Sequence, residues 1–447
     1  MLRRFAISCV MLLTALAAGA RTRPHYGGAL RVEISGDPWH TPDGLARRLV
    51  LDTLTTISDS GAAQAGLATH WQSQDGAHRW EFAMRPGVHF HDGTLLTAEI
   101  AAASLQQTCS MPANVACPWS AVHAVGSSLI FTAESPRPDL PELLAQTEFA
   151  IARQDAAGAL DGTGPFRVSG FANGALTLTA DDDCWEGRPF LDEIQIFPHR
   201  SARDQALDLS VGRADVIEVP PELLHQAEQQ HLTVLVSRPV DLLALTVVPD
   251  GLLANAQTRQ SIPLAVDRAA LFNVIFQKQG EITASLLPAA LSGYSFLFPP
   301  DRDLDRARTV RGPVPNGALS LAVMDATPTL QLAAERLALN LREEGFNVQM
   351  AGPHPAAALT LRRVHLEATA PRAALDEMSA LFGQNGRVTG TDPVALWQSE
   401  KAILENGTIV PLVWLPRAWA VGDRVRDLRL SPDGVPLLAD SSVEGQQ

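Results

Sequence analysis

An open α/β fold built in more than one unit is what this sequence predicts, and three observations predict it. Short strands punctuated by Gly, Pro and Asn recur through the first half of the chain. From about residue 258 apolar stripes at helical spacing take over. There a helix is followed directly by a strand, the alternation from which open α/β sheets are built. At 447 residues, 46% of them hydrophobic, the chain has the material for a sizeable core, divided at ordinary domain sizes into roughly two or three domains.

The elements follow in order. Residues 1–20, MLRRFAISCVMLLTALAAGA, place Arg3 and Arg4 before an apolar run that closes on Ala18, Gly19 and Ala20, the layout of a cleaved secretory signal. The run is shorter than the roughly 20 apolar residues that a spanning helix needs. Arg21, not a cysteine, follows the cleavage point, so an exported, periplasmic protein that is not a lipoprotein is expected. In YGGALRVEIS, Leu30, Val32 and Ile34 alternate as in a half-buried strand. GDPWHTPDG then forms a turn-rich loop with Trp39 and His40 at its tip, and residues 45–56 read as a helix. Strands are expected at 79–84, 128–133, 165–171, 175–180 and 193–197.

In TRQSIPLAVDRAALFNVIFQKQG, Ile262, Ala265, Val266, Ala269, Phe272 and Phe276 recur at helical spacing, with Pro263 placed to kink the first turns. Pro328 to Glu344 carries Leu330, Ala334, Leu337 and Leu341 on one face and ends at Gly345, a suitable C′ residue. FNVQM follows as a strand, and the Pro-rich stretch at 311–317 reads as a loop.

Charge narrows the partners. The formal net charge of −14 becomes −16 once Arg3 and Arg4 leave with residues 1–20, which hold no acid. An acidic surface disfavours nucleic acid and anionic membrane. Cys109 and Cys117, in CSMPANVAC, either close a short disulfide loop in an oxidising compartment or remain as two buried thiols. Cys184 is left over, and DDDCW has no zinc spacing.

The stretch RPGVHFHDGTLLTAEIAAASL gathers His89, His91 and Asp92 within four positions. A metal site needs three or four convergent ligands, and Asp92 is used by the turn it makes with Gly93. Strand, turn and helix is the reading, with Thr97 as cap and Glu99 in the first helical turn. Asp181, Asp182 and Asp183 read as a solvated turn, since three consecutive acids cannot all face one calcium ion, and Trp185 as packing. No metal and no cofactor is expected. G-x-S-x-G, H-E-x-x-H and the phosphate-cradling G-x-x-x-x-G-K are all missing, so neither hydrolysis by those devices nor powered transport is expected of the chain itself.

WQSQDGAHRWEFAMRPGVHFHDGTLLTAEIAAASL resembles the signature of the family 5 extracellular solute-binding proteins, the dipeptide, oligopeptide and nickel receptors of ABC importers. GTGPFRV, DDDCWEGRPFLDEIQI, the Gly212-Arg213-Ala214-Asp215 run, TRQSIPLAVDRAALFNVIFQKQG and VPLVW match further segments of that family in the same order. The chain departs from the pattern between residues 300 and 390, where it is shorter. There LTLRRVHLEATAPRAALDEMSALF has no counterpart of the aspartate that pairs with a peptide's α-amino group, and Glu367 is the nearby acid.

The resemblance implies a two-lobed periplasmic-binding-protein type II fold. Lobe I would run over 21–245 with an inserted subdomain at 50–160, lobe II over 246–400, and 401–447 would return to lobe I. It implies a monomer that captures a small solute, such as a peptide or chelate, and delivers it to an ABC permease and ATPase, with no bond made or broken. Candidate ligand-binding residues are Trp39 and His40 after the first strand, Asp241 before the strand LLALTVV, Glu367, and Trp414 and Arg417 after the returning strand. The other readings are a receptor that serves a sensor or has lost its pocket, and an exported hydrolase.

Overall fold

The computed structural model describes residues 26–39, 44–110, 117–154, 160–294, 296–313, 317–324, 327–352, 357–384 and 388–444. The expected signal segment and His40 lie outside the described residues.

One mixed sheet, of eleven strands among the described residues, runs through the molecule. At one end Ala29–Glu33 lies parallel between Glu193–Phe197 and Val216–Glu218. The hairpin Phe166–Ala172 and Ala175–Ala180 extends that edge, turning at Asn173 and Gly174, both at positive φ as a tight hairpin turn requires. At the other end Ala318–Val323 lies parallel to both Asn347–Met350 and Leu359–His365. Two long antiparallel strands, Thr233–Val247 and Ile409–Val421, join the ends. Their ladder shifts register where Pro239 faces Pro416, because neither residue has an N–H to donate.

Separate apolar clusters fill the two ends. Leu30, Val32, Ile194, Ile196, Val216 and Trp419 pack in the first, and Leu245, Leu319, Leu321, Leu337, Leu341 and Leu361 in the second. A third unit is a four-stranded antiparallel sheet, in the order Ala68–Gln74, Arg79–Met84, Ser128–Thr132, Ala121–Val125, covered by the helix Ala98–Ser110. Its core of Trp80, Phe82, Trp119 and Phe131 is continuous with Val364, Leu375 and Trp414 of the second end. Cys109 and Cys117 are disulfide-bonded, with Cα atoms 5.4 Å apart, and Cys184 is a buried free thiol.

The RPGVHFHDG segment forms the expected turn. Asp92 accepts from the Thr94 N–H at 2.8 Å, and His89 bridges to Leu95. The His91 ring lies 2.9 Å from the Gly164 carbonyl oxygen and the His91 backbone N–H donates to the Gly162 carbonyl, so the turn docks on the GTGPF segment. Gly164 is required there: a Cβ would lie 2.6 Å from the Leu49 carbonyl oxygen.

Two expected helices differ. The helix expected over 45–56 spans only Leu45–Val50; Leu51 is extended, and the β-branched Thr53, Thr55 and Thr56 continue into the strand Thr55–Ile57. The helix expected from about 258 is Ala256–Ala265, interrupted at the extended Val266. Asp267 starts a new turn by accepting from the Ala270 N–H at 2.9 Å, and buried Arg268 donates to the carbonyls of Pro263, Pro300 and Pro411. Pro328–Glu344 is helical as expected, capped by Thr327 and closed by Gly345 at φ 121°.

Candidate functional site

Between the two ends of the sheet lies a cavity of about 1360 Å³. The first end supplies Trp39 and Arg47, and the four-stranded unit with its flanking segment supplies the loop Gln146–Thr147–Glu148 and the exposed end of the helix Ala98–Ser110. The second end supplies the strand terminus Arg362–His365, then Glu367, then Arg372, Asp376 and Glu377 on the helix Pro371–Leu381. Alternation along the strand puts Arg363, His365 and Glu367 on one face. Pro371 at the helix start ends the extended segment that carries Glu367.

Both walls meet at Glu367. Its carboxylate accepts from the Thr147 N–H at 2.6 Å, from the Thr147 hydroxyl, and from the Arg48 guanidinium at 2.9 Å. Arg48 also holds Asp433. The neighbouring Glu377 carboxylate accepts from the N–H groups of Glu367 and Ala368 and from the Gln146 amide at 2.8 Å. Arg137 adds a further link across the cavity to Asp376. Burial pushes the Glu377 carboxyl up to about 7 and the charge of Glu367 adds to it, against the two N–H groups that favour ionisation. Burial, then the charge of Glu367, push Glu148 to about 7 with Arg47 opposing.

Behind this wall Asp241 is buried among cations. His365 donates from Nδ1 to Asp241 at 2.7 Å, Arg417 donates from Nε at 3.0 Å, and Arg363 stands 3.9 Å away. Burial alone would lower His365, but hydrogen bonds and charge from Asp241 and Asp433 outweigh it and raise the imidazole to about 10. Burial would raise Asp433, yet Arg48 and His365 hold it well below the usual carboxylate range.

The candidate residues are therefore distributed unequally. Trp39 and Glu367 line the cavity. Asp241 and Arg417 pair with each other behind it, and Trp414, only 1% exposed, sits in the core and does not line it. The correction has one cause. The sequence reading put Asp241 just before one strand and Trp414 and Arg417 just after another, but both strands run on through Pro239 and Pro416, so all three lie inside long strands and not at their termini. Sequence reasoning missed Arg47, Arg48, Gln146, Glu148, Arg363, His365 and Glu377. Alternation back from Glu367 was a signal for Arg363 and His365; nothing local marked the others.

A sequence profile of bacterial extracellular solute-binding proteins, family 5 Middle, matches residues 62–380. The uncharacterized protein YhjP of Bacillus subtilis is 27% identical over 231 residues, covering 50% of this chain and 37% of its own length. The HTH-type transcriptional regulator SgrR of Escherichia coli K12 is 29% identical over 203 residues, covering 42% and 36%. The chain thus spans little more than a third of the length of these curated relatives. Among solved structures, DppA from Helicobacter pylori in complex with the peptide STSA superposes with a TM-score of 0.80 at 17% identity, covering 94% of this chain and 99% of that one. AgaA from A. tumefaciens R10 in complex with agropinic acid gives 0.78 at 20%, covering 94% and 99%. NikA from Brucella suis in complex with Fe(III)-EDTA gives 0.77 at 16%, covering 93% and 100%. The two ends of the sheet are accordingly the lobes of a type II periplasmic-binding-protein fold, with the four-stranded unit inserted in the first. This chain belongs to the bacterial extracellular solute-binding proteins of family 5.

Proposed function

We propose that the protein is exported through its N-terminal signal, closes its two lobes around a small solute in the periplasm, and hands the closed form to an ABC permease and ATPase. The observation that carries the reading is the 1360 Å³ cavity walled by side chains from both lobes, with Arg48 and Thr147 of one gripping Glu367 of the other. Solute held there buries surface against both walls, and only such differential contact favours closure. The hinge is the crossing at Pro239 and Pro416, near the expected lobe boundaries at 245 and 401. The protein works as a monomer and without bond chemistry: Glu367 and Glu377 are engaged by Arg48 and by N–H groups, and Glu148 stands beside Arg47.

A panel of peptides, metal chelates and opines is the test. The expected result is a smaller radius in solution scattering and a melting temperature that rises with solute concentration. Solute consumed over time would favour an enzyme, and no compaction with any solute would overturn the receptor reading. The similarity to SgrR favours a second reading, a receptor whose closed form reports to a regulator. Uptake of the bound solute by vesicles holding the permease would decide for transport.

A further inference from the structure

The two ends of the sheet also touch outside the cavity. Glu222 lies in the short helical turn Pro221–Leu223, which follows the strand Val216–Glu218 of the first end. Thr329 is the second residue of the helix Pro328–Glu344 of the second end. The Thr329 hydroxyl donates to the Glu222 carboxylate at 2.5 Å, joining positions 107 residues apart. Neither residue lines the cavity. The links described there differ in this respect: Thr147, Glu367, Gln146, Glu377, Arg137 and Asp376 all line it, so a solute that enters meets the same side chains.

Local chemistry shows why this contact belongs to the meeting of the lobes and to neither lobe alone. Among the described residues Glu222 forms no ion pair, so no cation of its own lobe holds its charge, and the Thr329 hydroxyl is its one hydrogen-bond donor. Opposite it, the first turn of a 17-residue helix carries partial positive charge, which favours a carboxylate. That helix start is already closed from within its own lobe. Pro328 has no N–H to satisfy, and the Thr327 side chain accepts from the Leu330 N–H. Glu222 is therefore an addition from the other lobe, gained when the lobes meet and returned to water when they part.

We propose that Glu222 and Thr329 form a latch that holds the two lobes together independently of solute, and so set the fraction of closed molecules on which a solute acts. The latch goes beyond the solute-receptor reading and takes from it only that the lobes move. By favouring the closed form it raises the apparent affinity for every solute by one common factor and changes no preference between solutes.

The test uses the full mature protein without solute, spin-labelled at Leu207→Cys in the first lobe and Leu339→Cys in the second. Both are exposed helix positions, while Cys184 is buried and Cys109 and Cys117 are joined. Double electron–electron resonance reads closed and open molecules as shorter and longer distances. Thr329→Val and Glu222→Ala should each lower the ratio of closed to open molecules about three- to tenfold. The two changes together should lower it no further than either alone, because they remove one bond. Thr329→Ser keeps the hydroxyl and should restore the parental ratio, and Glu222→Gln, whose amide oxygen still accepts, should fall between. Each variant is melted alongside: an unchanged midpoint assigns the shift to the equilibrium between the lobes, and a midpoint lowered in both Thr329→Val and Glu222→Ala assigns it to the fold of a lobe and overturns the latch. A ratio unchanged in those two variants, or losses that add in the double variant, overturns it as well. Solute-driven compaction stands or falls separately, on its own panel of solutes.

Discussion

Arg48 serves two carboxylates from distant parts of the chain, Glu367 and Asp433, and among the described residues no other side chain is ion-paired with both. Arg48→Ala therefore leaves Asp433 and Glu367 without their shared cation in a site that is mostly shielded from water. A loss on the order of 3 kcal/mol is expected in denaturant unfolding. Glu367→Gln should cost less, because the amide oxygen still accepts from Thr147. Glu377 gives a pH signature. Its folded-state value of about 7 lies above the ordinary carboxyl value of 4.5, so the stability it contributes is complete below pH 4.5 and is lost as pH rises through 7. Glu377→Gln should flatten the stability profile between pH 5 and 8, as measured by melting at fixed ionic strength. Neither Arg48 nor Glu377 was legible by motif: they lie over three hundred positions apart, and only the fold makes them neighbours.

At the scale of elements, alternation and capping were readable and interruption was not. Leu30, Val32 and Ile34, and the stripe from Leu330 to Leu341, gave elements that the structure contains, because one buried face fixes the period. The helix broken at Val266 kept its stripe on both sides, and what the stripe could not register was that Asp267 caps a new turn. The GTGPF segment is legible in another way, as close approach. Gly164→Ala would drive a Cβ against the Leu49 carbonyl and push apart the helix Leu45–Val50 and the docked His91 turn. A destabilisation of about 1–3 kcal/mol is expected by thermal melting.

For the whole molecule, the two tryptophans once grouped at the cleft now separate into a reporter and a control. Trp39 lines the cavity, whereas Trp414 is enclosed in the apolar cluster that joins the inserted sheet to the second lobe. Solute-driven closure should change tryptophan fluorescence in the parent and in Trp414→Phe, and the change should shrink in Trp39→Phe, in a solute titration. Equal loss in both variants would place the optical change outside the cavity. Burial raises Glu148 and Glu377 to about 7, so an opening that exposes them should release protons, read by calorimetry in buffers of different ionisation enthalpy.

The paired prolines at the strand crossing have a further consequence, for what can be observed. Pro239 and Pro416 carry no amide hydrogen, and the Arg417 amide is donated to the Ser237 hydroxyl and not to a backbone carbonyl. Two positions of the pivot therefore report no deuterium uptake, and a third, Arg417, reports through a side-chain-protected site. Rotation of the lobes therefore leaves a thinned isotopic trace where it happens, and registers more clearly at the distant cavity wall, where the Thr147 N–H is bonded across to Glu367.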